Sequence, residues 1–321
     1  MARSAARSIA DPATLHEPEH ASFGPHPAAS GWLRRLVSVV TVSYRSADCL
    51  PDALRSIPEG VRKIVVDNAG LDNSAELAEA AGATVLRNTD NPGFGTACNQ
   101  GAELVETPFV LFLNPDARIS SGSLERLVAA LCADPSVAAV GPLLTHHGER
   151  RLPRRKTLLD IGEEPTFAKL PAQETDVGFL SGAALLVRTE LFREIGGFDE
   201  RIFLYLEDDD LCFRLRAAGH RLRLITDAVV AHDQTPQAQI PARTVRDHNR
   251  YTLASMRYVA QKHRVAINFT KKRRQAWKRL CFALILMDRR RIHANFGRLQ
   301  GMGAFHKPPI DRRPSEFDPR R

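Results

Sequence analysis

Four carboxylates stand in one row, from Glu207 to Asp210. In a helix, Glu207 and Asp210 would share one face, whereas Asp208 would lie about 100° away from Glu207. Carboxylates this close repel one another, which raises the pKa of at least one unless a cation intervenes. A carboxylate with a raised pKa can act as a general base near neutral pH. The alternative is a solvated helix start, where the helix dipole favours acids.

Polar side chains also follow apolar runs that are typical of strands. Asp67 lies near the end of "VRKIVVDN", where its carboxylate can accept hydrogen bonds from a base or a ribose. Asn114 and Asp116 lie in the turn N-P-D-A and could hold a hard divalent cation on a diphosphate. The same residues also make a good structural turn. His232 follows "AVVA" and indicates a site only if the acids and the turn meet it in space.

The segment "NPGFGTACNQG", residues 91–101, is a third candidate site. Gly93 and Gly95 precede a predicted helix, so backbone N–H groups could face an anionic ligand without interference from Cβ atoms. The spacing is G-x-G, without the third glycine of the dinucleotide-binding pattern. A nicotinamide-cofactor site is therefore poorly supported.

Strands and helices that alternate along the chain are predicted to position these residues. Patterns of apolar residues predict strands at 37–43, 61–68, 83–88, 108–114 and 136–142, and helices at 46–57, 74–82, 97–106 and from Ser121 or Ser123 to Cys132. Such alternation favours an α/β fold with a largely parallel sheet covered by helices on both faces. Ligands bind beyond the carboxyl ends of such strands, where Tyr44, Asp67 and Asn114 fall.

The second half of the chain continues differently. A short helix from Thr189, a helix ending at Gly219 and two short strands reaching His232 are predicted, followed by a helical, basic remainder. Residues 143–176 interrupt the alternation with Pro, Gly and basic residues, and we interpret them as an insertion or flap. The predicted divisions are a disordered leader at 1–34, the main domain at 35–240 and a basic helical extension at 241–321, disordered at its end.

Charge is distributed unevenly along the chain. Residues 243–321 hold 21 Lys and Arg against 5 Asp and Glu, whereas residues 1–242 hold 24 against 32, which implies two parts with different partners. The longest apolar run in the basic part, Cys281 to Met287, is far shorter than the roughly 20 residues of a membrane span. The leader lacks the apolar core of a secretory signal, and the five cysteines form no C-x-x-C pair, which favours a reducing compartment.

Taken together and in order, these motifs resemble the family 2 glycosyltransferases over residues 37 to about 235. The motifs are "VSVVTVSYRS", "VVDNAG", "NPGFGTACNQG", "FLNPDA", the segment from "FLSGAALLVR" to "YLEDDDLCFRLRAAG", and "DAVVAH". Within the family, the chain looks most like bacterial rhamnosyltransferases of cell-wall and surface-polysaccharide assembly. The resemblance implies a GT-A fold, a dTDP- or UDP-sugar donor, a divalent metal (Mg or Mn), an inverting displacement and a lipid-linked or glycan acceptor.

The resemblance also implies roles for individual residues. Asp208 matches the catalytic base, with Glu207 and Asp210 supporting it, and Asp209 is expected to be the solvated member of the row. Asp116 and His232 match residues that reach the metal or the diphosphate. The family's D-x-D motif reads Asn-Pro-Asp here, which leaves one carboxylate for the metal. The residues matched to nucleotide-sugar binding are Tyr44, Asp67, Asn91, Gly93, Phe94, Asn99 and Asn114.

The basic extension is predicted to hold the protein at an anionic lipid surface, on the cytoplasmic side of the plasma membrane. Each Lys or Arg near such a surface contributes about 1 kcal/mol. A basic amphipathic helix lies in the interface rather than crossing it. The alternative is a set of ordinary solvated helix faces. Whether Arg214 offsets the repulsion within the acidic row or faces an acceptor phosphate is left open by the sequence.

Three other functions compete with glycosyl transfer. A nucleic-acid-binding protein could use the basic segment, but the acids would have no purpose and no zinc-finger spacing or RNA-recognition aromatic motif is present, so we expect no nucleic acid partner. A nucleotidyltransferase would be expected to carry a Gly- and Lys/Arg-rich triphosphate loop, which "TVSYRSADCL" does not supply. A binding-only relative is favoured by Asn114 and opposed by the retained acids.

Overall fold

The computed structural model describes residues 31–150, 158–159, 170–233 and 241–303. Its first half alternates strands and helices as predicted. The strands are β1 (Val37–Ser43), β2 (Arg62–Asn68), β3 (Thr84–Asn88), β4 (Phe109–Leu113) and β5 (Ala117–Ile119); the helices are α1 (Leu33–Leu36), α2 (Leu50–Arg55), α3 (Ser74–Ala80), α4 (Phe94–Glu103) and α5 (Ser123–Ala133). No sequence pattern predicted the three-residue β5, which begins at Ala117, the last residue of the N-P-D-A turn.

The later elements include one difference from the predicted pattern. They are β6 (Val137–His146), β7 (Glu149–Arg150), β8 (Thr175–Asp176), β9 (Ala184–Arg188), α6 (Thr189–Glu194), α7 (Glu207–Ala217), β10 (Arg221–His232), α8 (Ala242–Lys262), α9 (Phe269–Ile285) and α10 (Arg289–Gly303). The prediction of two short strands before His232 is wrong, because β10 is one strand. Its pairing with β6 shifts register between Ile225 and Val229, where the apolar pattern is interrupted.

The strands form a mixed sheet in the order β3-β2-β1-β4-β9-β6-β10-β5. Pairing is parallel between β1 and both β2 and β4, between β2 and β3, and between β6 and β10. Strand β9 lies antiparallel between β4 and β6. The predicted α/β class, a mostly parallel sheet flanked by helices, is therefore confirmed.

The two faces of the sheet are both covered, which explains the unbroken apolar runs. In β1, Val37 and Val39 pack into a cluster with α2 and α5, whereas Val40 and Val42 pack into a second cluster with α4 and α7. Helix α7 carries the acidic row, so the second cluster fixes the row beside α4. Leu33 is fully buried in the first cluster, although it lies within the predicted leader.

Helices α8, α9 and α10 pack together as the C-terminal helical unit. Gly297 and Gly301 of α10 face α8, and a Cβ atom at these positions would lie 2.0 Å and 2.2 Å from the carbonyl oxygens of Arg246 and Arg250. Glycine is thus required for the close approach of the two helices. No helix within the described ranges is long and apolar enough to cross a bilayer.

Parts of the predicted organisation lie outside the described residues. They are most of the leader (1–30), the central part of the 143–176 insertion (151–157 and 160–169) and the end of the basic extension (304–321).

Candidate active site

Asp67 lies at the carboxyl end of β2, where the sequence predicted a nucleotide contact. Its side chain is 1% exposed, and its Oδ1 has no hydrogen-bond partner among the described residues. Burial, followed by the nearby charges of Asp72 and Glu76, raises the pKa of this carboxyl. A buried oxygen without a partner costs free energy, so a donor group of a ligand would stabilise it.

The glycine segment packs against the backbone of Phe203, which lies in the loop before α7. Gly93 has φ 104°, and a Cβ atom there would lie 2.5 Å from the carbonyl oxygen of Phe203. The N–H of Phe94 donates to that same oxygen at 3.0 Å. The N–H of Phe94 is therefore used within the protein, whereas the sequence expectation was that backbone N–H groups near Gly93 and Gly95 could face an anionic ligand.

Two asparagines make further hydrogen bonds around the glycine segment. Asn91 Oδ1 accepts from the N–H of Gly93 at 3.0 Å and from Asn68 Nδ2 at 3.1 Å. Asn99 Nδ2 donates to the carbonyl of Phe198, and its Oδ1 accepts from the N–H of Phe198, both at 2.9 Å. Gly93, Phe94 and Asn99 therefore contact the segment before α7 directly, and Asn91 holds the backbone of Gly93.

The N-P-D-A turn meets His232, as the sequence required for a site. Antiparallel pairing places His232 opposite Ala117, the last residue of the turn. His232 Nε2 then lies 3.2 Å from Asp116 Oδ1 and 3.4 Å from Asn114 Nδ2. Tyr44 follows β1 and is 45% exposed. Residues more than 100 positions apart thus form one polar cluster.

This cluster offers only part of a metal site. Asp116 supplies a carboxylate and His232 an imidazole nitrogen, and both ligand types suit a divalent ion such as Mn²⁺. Among the described residues, no group of three or more His, Cys, Asp or Glu side chains could hold a metal ion. The residues fit a metal whose remaining ligands are substrate phosphates and water, which is usual for Mg²⁺.

The acidic row begins directly after a strained turn. Tyr205 and Leu206 both have left-handed backbones, with φ of 67° and 70°. Such conformations cost free energy in residues other than glycine and persist only where surrounding contacts hold them. Helix α8 supplies those contacts: Ser255 Oγ donates to the carbonyl of Leu204 at 2.8 Å, and the rings of Tyr251 and Phe203 lie 4.4 Å apart.

Asp208 is the member of the row that remains partly exposed. Its Oδ2 accepts from the N–H of Gly182 at 3.0 Å, and its Oδ1 accepts from the N–H of Asp209 at 3.0 Å. The adjacent Ala183 accepts, through its carbonyl, the N–H of Asn114 at 2.9 Å. The segment Gly182–Ala183 is thus hydrogen-bonded both to Asp208, through Gly182, and to the N-P-D-A turn, through Ala183.

Glu207 is buried against α4, with an exposed fraction of 7%. Its Oε2 has no hydrogen-bond partner among the described residues. Burial, followed by the charge of Asp208, raises the pKa of Glu207 well above its usual range. The raised pKa predicted for one member of the row therefore falls on the buried neighbour of the accessible acid.

The expectation that Asp209 is solvated is wrong. Its side chain is 2% exposed, and its Oδ1 accepts from the N–H of Leu158 at 3.3 Å. Leu158 and Leu159 cover this side of α7, and Leu159 is itself buried. The row is therefore not a solvated helix start.

Asp210 binds cations of the C-terminal helical unit and does not face the turn cluster. It is fully buried, and it accepts from Arg214 Nε and Lys262 Nζ at 2.7 Å each and lies 2.6 Å from His263 Nε2. Burial opposes ionisation, but the charge of Arg214 and the hydrogen bonds with Lys262 and His263 outweigh it and lower the pKa of Asp210. These contacts join α7 to its own next turn and to the end of α8, so Asp210 can support Asp208 by holding the position of α7.

Arg214 was left with two possible roles by the sequence, and its hydrogen bonds distinguish between them. Besides Asp210, it donates to the carbonyls of Ile195 at 2.8 Å and Gly197 at 2.6 Å. Its guanidinium therefore points inward, where it offsets the repulsion within the row, and each of its three nitrogens donates to a protein acceptor instead of facing an acceptor phosphate. Sequence reasoning missed Ser255, Lys262 and His263, because nothing in a basic helical segment marks them as contacts of α7.

A mixed sheet of this order, flanked by helices on both faces, has the GT-A fold. The model of the glycosyl transferase family 2 matches residues 38–196, and the chain belongs to this family. The chain is 36% identical over 222 residues to the "Pre-mycofactocin glycosyltransferase" of Mycobacterium tuberculosis, covering 66% of this chain and 46% of the relative. It therefore spans about half the length of that relative.

A second relative is covered more completely. The "N-acetylglucosaminyl-diphospho-decaprenol L-rhamnosyltransferase" of M. tuberculosis is 28% identical over 267 residues, covering 71% of this chain and 85% of the relative. Among solved structures, GalNAc-T7 with UDP, GalNAc and Mn²⁺ has a TM-score of 0.54 at 15% identity, covering 70% of this chain and 47% of that one. This likeness shows the fold alone.

Proposed function

We propose that this chain is an inverting glycosyltransferase that moves a deoxyhexose such as rhamnose from a nucleoside-diphosphate donor to a hydroxyl of a lipid-linked or glycan acceptor. The observation that carries the proposal is the segment Gly182–Ala183. It links the partly exposed Asp208 to the turn that holds Asp116, so that an acid for the acceptor lies beside residues suited to a diphosphate.

The chemistry is one displacement at the anomeric carbon of the donor sugar. Asp208 takes the proton of the acceptor hydroxyl, and the hydroxyl oxygen forms a bond to the anomeric carbon. The bond from that carbon to the nucleoside diphosphate breaks, and its electron pair leaves with the diphosphate. Asp67 accepts hydrogen bonds from the base or ribose. Asp116 and His232 would hold a divalent metal, which supplies charge stabilisation for the leaving diphosphate when bound.

The choice of a deoxyhexose rests on similarity. The rhamnosyltransferase of M. tuberculosis is matched over most of its length, and its name includes a lipid-linked acceptor. A second rhamnosyltransferase relative, from Salmonella anatum, is 27% identical over 185 residues. The placement of Asp208 opposes the binding-only alternative, because the accessible acid and its supporting hydrogen bonds are present.

We also propose that the C-terminal helical unit holds the chain at the cytoplasmic face of an anionic membrane. The end of α9 and the turn after it present five exposed apolar side chains, which we call the apolar tip: Phe282, Leu284, Ile285, Leu286 and Met287. Ile285 is 77% exposed and Met287 82%. Basic residues at 271–274 and 278–279 precede the tip on α9. Exposed apolar side chains next to cations are typical of helices that lie in a membrane interface.

Donor binding tests the central proposal. We would measure thermal stabilisation of the full chain by dTDP- and UDP-sugars, with Mn²⁺ and with chelator, and then transfer to a hydroxyl acceptor. A donor at 100 times its Kd is expected to stabilise the fold by about 2.7 kcal/mol. The absence of stabilisation by every nucleoside-diphosphate sugar would contradict the proposal. Sedimentation with anionic and with neutral vesicles tests the membrane assignment, and equal adherence to both would count against it.

A further inference from the structure

A cationic cavity lies between α8 and α10, next to the turn that precedes the acidic row. Its volume is about 470 Å³, and its lining includes Arg290, Arg291 and Arg298 of α10. The opposite side is formed by α8 and by Tyr205, the first of the two left-handed residues before Glu207. One end of this cavity therefore reaches the loop that positions Asp208.

A second cavity continues along α10 toward the apolar tip. It also measures about 470 Å³ and is lined by Lys278, Arg279 and Phe282 of α9. Both cavities share Arg291 and Arg298, so they adjoin. We call the two together the arginine groove. It runs from Tyr205 at the loop before α7 to Phe282, a member of the apolar tip.

The lining of the groove is positively charged. Five Lys or Arg side chains border it, and none of its described lining residues is an Asp or Glu. Asp288 is the single acid between residues 248 and 303, and it pairs with Arg291 at 3.2 Å. Charge of one sign in a partly enclosed space is destabilising by itself, and a bound anion would offset it.

Arg298 is held in place at the centre of the groove. Its Nε donates to Asn249 Oδ1 at 2.9 Å, and its Nη1 donates to Asn295 Oδ1 at 3.1 Å. Both acceptors are neutral amides, so they orient the guanidinium without neutralising it. Burial, followed by the nearby charge of Arg279, lowers the pKa of Arg298. An oriented guanidinium matches the geometry of phosphate oxygens, which it can bind through two N–H groups.

We infer that the arginine groove binds the phosphate or diphosphate group of a lipid-linked acceptor. The inference rests on the proposed function and deepens it. The lipid would extend past Phe282 toward the membrane, and the sugar would extend past Tyr205 toward Asp208. The groove thus joins the two features that such a substrate requires, an apolar surface at one end and a proton acceptor at the other.

A charge-matched pair of variants tests this inference. Arg291→Glu changes a residue that lines both cavities, whereas Arg289→Glu makes the same charge change two positions away, at a residue that lines neither. The probe is farnesyl diphosphate, with inorganic diphosphate in parallel, titrated by calorimetry into the full chain. We expect Arg291→Glu to weaken binding at least about tenfold, equivalent to about 1.4 kcal/mol, and Arg289→Glu to stay within about threefold of the original chain.

Vesicles of phosphatidylglycerol separate a specific phosphate site from general attraction to anionic headgroups. Because the two variants change net charge equally, we expect them to lower vesicle adherence by similar amounts. Equal weakening of farnesyl diphosphate binding in both variants, or unchanged binding in Arg291→Glu, would overturn the inference. A cooperative thermal unfolding transition without ligand shows that each variant is folded. The shift of that transition by nucleotide sugar tests the proposed function separately, since a chain that binds prenyl diphosphate but no nucleotide sugar would contradict only the latter.

Discussion

The two sides of the candidate site are built in different ways. On the proposed donor side, Asp67 ends β2 and Asp116 follows β4, strands whose positions are set by backbone hydrogen bonds to β1. On the proposed acceptor side, the acidic row depends on side-chain contacts with α8, such as Asp210 with Lys262. Backbone pairing within the sheet thus places the donor-side residues, whereas the acceptor side requires side chains of a helix outside the sheet. Substitutions at the contacts between α7 and α8 should therefore change the acidic row without touching a substrate.

The largest effect is expected at the reacting group. Asp208→Asn should lower the rate of sugar transfer by ~10²–10⁴, since an amide cannot take the proton of the acceptor hydroxyl. Donor affinity should remain close to the original, because the donor-side residues are unchanged. Initial rates and donor titrations check both points, with Asp227→Asn as a control at an exposed ion pair. Near-normal turnover would show that another group is the base.

Breaking the anchor between α7 and α8 should cost stability. Asp210→Asn leaves Arg214 and Lys262 without their buried carboxylate, and we expect a loss of about 3–5 kcal/mol in the free energy of unfolding. Asp52→Asn, which removes an exposed ion pair with Arg55, is the control and should change little. Urea unfolding at neutral pH measures the difference.

The pH dependence of the same pair sharpens this prediction. The pKa of Asp210 is lowered in the fold, so its contribution is present above the unfolded pKa of about 3.9. It is lost as the pH falls through the lower folded value. The difference between the original chain and Asp210→Asn should therefore shrink in acid. A constant difference down to the lowest pH at which both remain folded would contradict the assignment.

The contact between α8 and α10 offers a milder test. At Gly297, an added Cβ atom would lie 2.0 Å from the carbonyl oxygen of Arg246, so Gly297→Ala should force the helices apart. Overpacking of this kind typically costs about 1–3 kcal/mol. Gly303→Ala is the matched control, because nothing lies within 4 Å of a Cβ atom there. Equal thermal unfolding of the two variants would show that the helices can separate freely.

On the donor side, Asp116→Ala should weaken donor binding in a metal-dependent way. We expect a loss of roughly tenfold with Mn²⁺, or about 1.4 kcal/mol, because the single carboxylate of the N-P-D-A turn is removed. With chelator, the original chain and the variant should bind the donor with similar affinity. Identical titrations under both conditions would exclude Asp116 as a metal ligand.

The smallest effect is expected at Glu207. Its raised pKa means that its stabilising contribution is complete below the unfolded pKa of about 4.3 and is lost as the pH rises toward the folded value. Glu207→Gln removes this dependence, so the variant should gain stability relative to the original chain above that pH, by roughly 1 kcal/mol. Chemical unfolding at several pH values checks the sign. A variant that is less stable than the original chain at neutral pH would contradict a raised pKa of Glu207.

Much of the donor side could be predicted from local patterns. The run from Val37 to Ser43 indicates a strand buried on both faces, and Asp67 and Asp116 are recognisable because they follow such runs. The glycine segment was less predictable. Gly93 is needed because the carbonyl of Phe203 approaches it, and no local pattern reveals a contact across more than 100 residues.

The acidic row shows the limit of local reasoning most clearly. The sequence determines that four carboxylates begin a helix and that Asp208 and Asp210 lie at different angles around it. It does not determine which side of that helix is covered. Leu158 covers Asp209, and Lys262 and His263 of the C-terminal helical unit bind Asp210. Helical periodicity is a property of neighbouring residues, whereas burial and ion pairing depend on segments that meet only when the chain is folded.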